Sequence, residues 1–324
     1  MTKELLYKNE KSLFIIAAII SCIFWAIVVL GTFGVALIYG LMFFLFYLFA
    51  HSALISYLKG TAVKVTPEQF PDIYEQLQYC CNKLNISDVP ETYILHAEGA
   101  FNAFATRFLG RNFVVLFSDV VDALSANKNS VNFYIGHELG HIHRKHLIWS
   151  PVLFPALFLP LLGAAYSRSR EYTCDNYGFA CCPEPKDAVY GLAALAAGAQ
   201  RWKTIKIPSY IAQTDNTGSF WMSFNELIAD YPWLVKRMSR LVALAKNQPV
   251  TMPKRNIFAW ILAIFIPRIG MGAGAGSIVI IIAIVAILAA IAIPQFTAFQ
   301  QRAKQLTSPS INQFVEPDSK IDIQ

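Results

Sequence analysis

The N-terminal part of the chain is dominated by one apolar stretch. From Ser12 through Leu58 there is no Asp, Glu, Lys or Arg, and Phe, Leu and Ile are frequent. A membrane-crossing helix needs about 20 such residues, so the stretch fits two helices joined by a turn at residues 31–34. Residues 1–59 are therefore predicted to form a transmembrane hairpin. The stretch is too long for a cleaved signal peptide.

Residues 60–256 change to the mixed periodicities of a folded α+β domain. Apolar Phe70, Ile73, Leu77 and Leu84 recur at near-helical intervals, which indicates an amphipathic helix. Runs of β-branched and aromatic residues indicate short strands. Helices are predicted at 66–83, 129–145, 188–199 and 234–246, and strands at 92–95 and 113–117. We expect a mainly helical domain that carries a small sheet.

The C-terminal part returns to apolar sequence. Residues 257–300 contain a short apolar segment, a Gly-rich run at 270–276 and an unbroken apolar run from Ile278 to Ile293. The last run is just long enough to cross a bilayer with its flanks, so a C-terminal transmembrane helix is predicted. Residues 301–324 form a polar tail. The fold class expected from these patterns is a mainly α membrane protein.

Composition supports that class. Of the 324 residues, 55% are hydrophobic and 15% are charged, and the mean hydropathy is +0.43. Soluble domains carry about 25% charged residues. The net charge of +6 is spread along the chain and predicts no nucleic-acid partner. Lysines flank the apolar hairpin and its turn is uncharged, so the positive-inside rule places both ends in the cytoplasm. The six cysteines form no evident disulfide framework, as expected in a reducing compartment.

The pentapeptide from His137 to His141 reads His-Glu-Leu-Gly-His. On a helix the two histidines lie on one face, one turn apart, so both rings can reach one metal ion. Glu138 between them can act as general base on a metal-activated water. This spacing is typical of zinc-dependent hydrolases and predicts a zincin-like catalytic domain that binds one Zn²⁺ per chain. His143 and His146 are expected at the solvated or membrane-facing end of the same helix.

A catalytic zinc usually takes three protein ligands, so a third donor must lie elsewhere. The metzincin pattern fails, because Arg144 and Leu147 stand where its Gly and His belong. A second pattern places a Glu on a downstream helix with an Asp four residues later. Glu171 and Asp175 match it and share one helical face.

Residues 147–166 are apolar and contain three prolines, Pro151, Pro155 and Pro160. A straight helix over this segment would cover about 27 Å and deliver Glu171 to the opposite membrane face. A kinked re-entrant or interfacial segment keeps both ends on one side. The need to bring Glu171 back to the two histidines favours this kinked form, with a plain span as the alternative.

At these residues the chain resembles the HtpX-like family of membrane zinc endopeptidases, which includes the CAAX prenyl-protein peptidases. The resemblance covers about residues 60–245 and rests on four segments: 102–105 before strand 113–117, 137–141, the run ending in Glu171 and Asp175, and Pro232 followed by Arg237. It implies that His137, His141 and Glu171 are zinc ligands and that Glu138 is the general base. Asp175 would orient a ligand histidine from behind.

The same resemblance concerns the group that stabilises the oxyanion, the negatively charged oxygen that forms when water attacks the peptide carbonyl. Family members often carry His-Pro with an Arg six residues after that His, whereas this chain has Tyr231 before Pro232 and then Arg237. A phenol can donate a hydrogen bond to an oxyanion, so Tyr231 is a candidate catalytic residue; core packing is the alternative. Arg237 is also a candidate catalytic residue; the alternative is an ordinary arginine on the surface of a helix.

An extended peptide substrate can add a strand to a sheet. The strand at 113–117, together with Asn102 and Ala103 of the segment 102–105, suits such binding. The predicted substrate-binding residues are Asn102, Ala103, Val114 and Val115. The alternative is an ordinary core strand.

The run from Ile287 to Phe296, continuing to Lys304, resembles the first helix of type IV pilins and suggests a bacterial source. Ala275 stands where the pilin pattern expects Glu. The leading hypothesis is an inner-membrane zinc endopeptidase that faces the cytoplasm and cleaves membrane or misfolded proteins. The alternative is a catalytically silent membrane scaffold associated with a pilus or secretion assembly. The substrates are protein or peptide, the bilayer is the second partner, and the oligomeric state is left open.

Overall fold

The computed structural model describes residues 5–96, 102–266 and 294–304. The chain divides into two compact units, Met1–Ala273 and Gly274–Gln324. In the second unit the described residues form one exposed helix at 294–304. The predicted C-terminal transmembrane helix at 278–293 lies outside the described residues. The first unit contains the predicted site.

Two long apolar helices open the first unit, α1 (Glu10–Gly31) and α2 (Val35–Thr61). Within the described residues these two are long and apolar enough to cross a membrane, and most of their surface is exposed. The turn between them needs Gly34, whose φ of 84° favours glycine. The predicted pair of apolar helices is confirmed, while the membrane crossing itself stays a prediction.

A four-stranded sheet follows, built from β1 (Val63–Lys64), β2 (Glu91–Leu95), β3 (Ala103–Phe108) and β4 (Arg111–Phe117). The strand order is β1-β2-β4-β3, with β2 and β4 parallel and the other pairs antiparallel. The strands predicted at 92–95 and 113–117 are confirmed. Strand β3 was not predicted, although it joins β4 through a tight turn at Gly110.

The remaining elements are helical. In chain order they are α3 (Pro71–Lys83), α4 (Ser118–Ala123), α5 (Val131–His143), α6 (His146–Val152), α7 (Phe154–Leu157), α8 (Leu162–Cys181), α9 (Pro185–Arg201), α10 (Ile207–Ala212), α11 (Phe220–Ile228), α12 (Leu234–Ala245), α13 (Ile257–Ala263) and α14 (294–304). The described chain is therefore mainly helical with one small mixed sheet, as expected.

Helices α5 and α8 approach each other closely, and this contact builds the site. Gly136 on α5 lies against Gly178 on α8, so that a side chain at Gly136 would come within 2.9 Å of the Gly178 Cα. A side chain at Gly178 would meet the Phe133 carbonyl oxygen at 2.5 Å. Small residues let the two backbones pack at this distance, and the Glu171 side of α8 thereby faces the histidines of α5.

Gly178→Ala is expected to destabilise the protein by about 1–3 kcal/mol and to weaken metal binding, because the new methyl group pushes α8 away from α5. The matched control is Gly60→Ala in α2, where no atom lies within 4 Å of the added carbon. The control should leave stability unchanged or raise it by up to about 1 kcal/mol. Denaturant unfolding in detergent measures both. Equal effects of the two substitutions would contradict the close helix contact.

The segment after α5 is not one long helix. Lys145 and Leu161 adopt positive φ, and the chain between them forms only α6 and α7, of 7 and 4 residues. The segment packs against α1, where the Ser21 hydroxyl donates to the Leu153 carbonyl at 3.2 Å and Trp25 Nε1 donates to Val152 at 2.9 Å. The plain-span alternative is wrong, because the prolines and these turns return the chain to α8 beside α5.

Candidate metal centre

One cavity of about 560 Å³ lies between α5, α8, β3 and the loop before α12. Of the residues predicted from the sequence, those that line it are Asn102, Ala103, His137, Glu138, His141, Glu171, Tyr231 and Arg237. These residues come from the start of β3, from α5, from α8, from the loop before α12 and from α12 itself. The fold therefore brings the HExxH helix, the downstream glutamate and the Tyr-Pro loop to a single place.

Both histidines of the pentapeptide turn the same ring nitrogen toward Glu171. His137 Nε2 lies 3.4 Å from Glu171 Oε2, and His141 Nε2 lies 3.6 Å from Glu171 Oε1. The helical spacing of four residues places the two rings on one face of α5, in an edge-to-face arrangement with ring centroids 5.3 Å apart. Two imidazole nitrogens and one carboxylate therefore converge on one point.

The charge of the Glu171 carboxylate suits a cation. Burial tends to raise the pKa of Glu171, but the hydrogen bond from His137 and the proximity of His141 outweigh it and hold that pKa at about 2. Burial tends to lower the pKa of His137, but hydrogen bonds to Asp175 and Glu171 raise it to about 9. An anionic carboxylate facing two imidazoles is the donor set of a three-ligand zinc site, so the residues fit a bound Zn²⁺.

Cys174 offers another third donor. Ligand atoms of His137, His141 and Cys174 lie within 4.8 Å of one another, so this group could also hold a metal ion. However, the thiol of Cys174 is fully buried. Cys174 also lies outside the described lining of the cavity. The geometry therefore favours Glu171.

Asp175 lies behind His137, one turn after Glu171. Its Oδ1 is 3.2 Å from His137 Nδ1, and Arg237 donates to both carboxylate oxygens at 2.6 and 2.9 Å. Although burial opposes ionisation, the Arg237 charge holds the pKa of Asp175 far below its usual range. Arg237 is only 5% exposed, so the alternative of a surface arginine is wrong. Together the pair fixes the orientation of the His137 ring.

Glu138 points into the same cavity and does not join the ion pairs of Glu171. Burial raises the pKa of Glu138 to about 7, and the neighbouring charge of Glu171 adds to this effect. The nearby backbone N–H of Ala105 favours the ionised carboxylate and partly opposes the rise in pKa. A carboxylate with a pKa near neutrality can both accept and return a proton, as a general base requires.

Tyr231 lies at the mouth of the cavity and is 55% exposed, so the alternative of core packing is wrong. The charge of Glu171, followed by burial, raises the pKa of Tyr231 to about 12. The phenol therefore stays protonated at neutral pH and remains a hydrogen-bond donor. Its loop is held from below by Arg168, which donates to the carbonyl oxygens of Glu226, Leu227 and Ala229. Arg168 belongs to the sequence run that ends in Glu171 and Asp175, but the sequence analysis assigned no role to it.

The substrate strand was assigned to the wrong element. Strand β4 pairs with β2 on one side and β3 on the other, and Val114 and Val115 are fully buried. Neither residue can meet a substrate. Among the described strands, β3 is the edge next to α5. Asn102 and Ala103 do line the cavity at this edge.

The backbone of β3 alternates between two directions. The Phe117 N–H donates to the Asn102 carbonyl at 3.2 Å, which places Asn102 and Phe117 in a hydrogen-bonded pair. In the register of β3 and β4, the backbone groups of Ala103, Ala105 and Arg107 then point away from β4. Ala105 and Glu138 line the same cavity at this open edge. The edge thus passes directly beside the general-base candidate.

His143 and His146 do not share one environment. His143 is partly exposed and bonds the Tyr177 hydroxyl at 2.9 Å, in agreement with a place on the outer side of the helix. His146 is 2% exposed, so its expected solvated position is wrong. It lies behind His141 and contacts Glu10 of α1. Neither contact had a sequence signal, because Glu10 stands far from the pentapeptide in the chain.

Two histidines and a glutamate thus converge beside a second buried carboxylate and an open strand edge. Residues 67–153, which contain α3 to α6, match the family model described as Peptidase family M48. The chain is 26% identical over 155 residues to plastoglobule-localized metallopeptidase 48, chloroplastic, of Arabidopsis thaliana.

That alignment covers 43% of this chain and 44% of the Arabidopsis protein, so the chain matches less than half the length of this curated relative. No solved structure matches the chain. The family match includes the pentapeptide but ends before Glu171 and Asp175. A metallopeptidase of family M48 is therefore the class that these similarities support.

Proposed function

We propose that this protein is an integral membrane zinc-dependent endopeptidase that hydrolyses peptide bonds of membrane or misfolded proteins. The observation that carries the proposal is the convergence of His137 Nε2 and His141 Nε2 on Glu171, with Glu138 in the same cavity. The M48 similarity supports the peptidase class. A catalytically silent scaffold has no use for a general base with a pKa near neutrality, so this alternative is not favoured.

His137, His141 and Glu171 would hold the zinc ion, with Asp175 and Arg237 orienting the His137 ring. When bound, the ion supplies an activated water and polarises the scissile carbonyl group. Glu138 accepts the proton of that water and delivers it to the leaving amine nitrogen. Tyr231 donates its hydroxyl hydrogen bond to the developing oxyanion from the mouth of the cavity.

The substrate would bind as an added strand on β3. The outward N–H and C=O groups of Ala103 and the outward C=O of Ala105 can pair with a straight peptide, which then lies across Glu138. Such pairing holds the backbone of the substrate and leaves side-chain specificity to the cavity walls. Asn102 and Ala103 remain substrate-binding candidates, while Val114 and Val115 support β3 from the buried strand.

N-methylation of a substrate peptide, one residue at a time, should raise KM in an alternating pattern. Only every second N–H of an added strand pairs with β3, so methylation of the paired positions removes a hydrogen bond and of the intervening positions does not. The intervening positions are the internal control, and steady-state kinetics on a fluorogenic peptide series gives the measurement. Uniform effects along the peptide would argue against strand addition.

Tyr231→Phe is expected to lower kcat by about 100-fold with little change in KM, because an oxyanion donor acts in the transition state. The matched control is Tyr79→Phe on α3, a 40%-exposed tyrosine remote from the cavity. It should retain full activity. Wild-type kcat in Tyr231→Phe would remove the phenol from the catalytic group.

The function is tested with the purified full-length chain in detergent. Zinc content should approach one ion per chain, and casein should be cleaved. Removal of the metal with a chelator should abolish cleavage, and added zinc should restore it. Zinc-loaded protein that leaves casein intact would contradict the peptidase and support the scaffold.

An HtpX-like enzyme of the bacterial inner membrane, with several spans and a cytoplasmic catalytic domain, is the location that we propose. Two apolar helices flanked by lysines support it. A cysteine introduced at exposed Lys206 should react with an impermeant thiol reagent in inverted membrane vesicles and not in intact spheroplasts. The opposite labelling pattern would place the catalytic domain outside.

A further inference from the structure

A second buried series of polar side chains reaches the candidate metal site from the membrane hairpin. His146 Nδ1 lies 3.2 Å from His141 Nδ1, on the side of the His141 ring that faces away from Glu171. His146 Nε2 lies 3.1 Å from Glu10 Oε1. Both Glu10 and His146 are 2% exposed. Glu10, His146 and His141 therefore form one continuous buried contact.

Glu10 is the first residue of α1, and its burial is costly. A carboxylate removed from water loses its hydration unless partners replace it, and an apolar residue at this position would avoid that cost. Arg144 Nε donates to the same oxygen of Glu10 at 3.3 Å. His146 and Arg144 both contact Oε1 of Glu10, while the buried Oε2 has no hydrogen-bond partner among the described residues. The carboxylate therefore serves these polar contacts and not apolar packing.

The N-terminal residues are also fixed against α8, which holds Glu10 in place. The Tyr7 N–H donates to Thr173 Oγ1 at 3.0 Å, and Asn176 Nδ2 donates to the Leu5 carbonyl at 2.7 Å. The Tyr7 ring stacks near Tyr172 with centroids 4.9 Å apart. Thr173, Tyr172 and Asn176 belong to the same helix as Glu171, so the start of α1 and the metal site share one support.

We propose that Glu10 and His146 are positioning residues for His141, and that α1 is thereby part of the metal site as well as a membrane anchor. The proposal rests on the proposed function, since it takes His141 as a metal ligand through Nε2. The Nδ1–H of His141 then donates to His146 Nδ1, and the Nε2–H of His146 donates to Glu10. Asp175 supports His137 in the same way. Each ligand histidine is therefore linked to a buried carboxylate, His137 directly to Asp175 and His141 through His146 to Glu10.

The test compares zinc affinity of full-length variants in detergent, measured by chelator competition. The variants are Glu10→Gln, Glu10→Leu and His146→Phe, and the control is His143→Phe on the outer side of α5. Loss of such support typically weakens metal binding about 10- to 100-fold. We expect about 10-fold for Glu10→Gln, which keeps an acceptor oxygen, and about 100-fold for Glu10→Leu and His146→Phe. His143→Phe should bind zinc as the wild type does.

Two further readouts separate positioning from general stability. The visible spectrum of the Co²⁺-loaded protein should change in His146→Phe and not in His143→Phe, because only the former alters the ligand field. Thermal unfolding of the metal-free Glu10→Gln variant should match that of the wild type, because this change preserves shape. Wild-type zinc affinity in both Glu10→Gln and His146→Phe would overturn the positioning role of these two residues and leave the proposed function standing. A wild-type protein that binds no zinc would overturn the proposed function and, with it, the positioning role of Glu10 and His146.

Discussion

Glu138→Gln is expected to lower kcat by about 10²- to 10⁴-fold, the contribution typical of a general acid or base. The amide keeps the size of the carboxylate but cannot accept a proton. His137, His141 and Glu171 are untouched, so zinc content should stay near one ion per chain. Turnover of a fluorogenic peptide and metal analysis of the same preparation give the two measurements.

The matched control for this substitution is Glu91→Gln. Glu91 is a carboxylate of β2 that pairs with Lys64 and Arg111 at the surface, and its loss should leave kcat unchanged. If Glu138→Gln retained the turnover of the control, Glu138 would have no proton-transfer role. If it lost zinc as well as activity, the effect would belong to metal binding and the general-base assignment would fail.

Glu171→Gln is expected to weaken zinc binding by at least about 100-fold, more than the loss of a supporting residue, because a neutral amide replaces a charged ligand. Cys174→Ser should bind zinc with wild-type affinity. The two residues lie one turn apart on α8, and both could complete the group with His137 and His141. Chelator competition on the two purified variants distinguishes the candidates directly.

The stability of the metal-free variants serves as the control. Both side chains are buried, so each substitution can disturb packing, and only a loss of affinity beyond the change in unfolding free energy counts as lost ligation. Loss of zinc in Cys174→Ser with full binding in Glu171→Gln would reverse the assignment. Cys174 would then have to bind zinc as a thiolate, although burial raises the pKa of its thiol.

Much of the candidate site could be predicted because its chemistry depends on local spacing. His137 and His141 share a helix face at four residues' distance, and Glu171 and Asp175 repeat that spacing on α8. A helix converts such spacing into geometry without help from the rest of the fold. The two apolar helices were predictable for a similar reason, since composition and length alone identify them.

The sheet shows where this reasoning stops. The apolar run around Val114 and Val115 correctly predicted a strand, but a run that apolar is equally typical of a strand with neighbours on both sides. Strand order depends on pairings between distant residues, here Glu91 with Phe113 and Ala103 with Leu116. The edge beside Glu138 therefore belongs to β3, which the sequence pattern had not indicated.

By itself, the sequence determined the two apolar helices, the helix of the pentapeptide and the pair Glu171 and Asp175 one turn apart, because these follow from short-range periodicity and side-chain chemistry. Only the tertiary structure decided that Arg237 is buried against Asp175, that Tyr231 is open to the cavity, and that Glu10 reaches His146. Burial and partner choice depend on which distant elements pack together, and desolvation then sets the charge of each group. The close contact of Gly136 with Gly178 is the packing that makes one site of these separate parts.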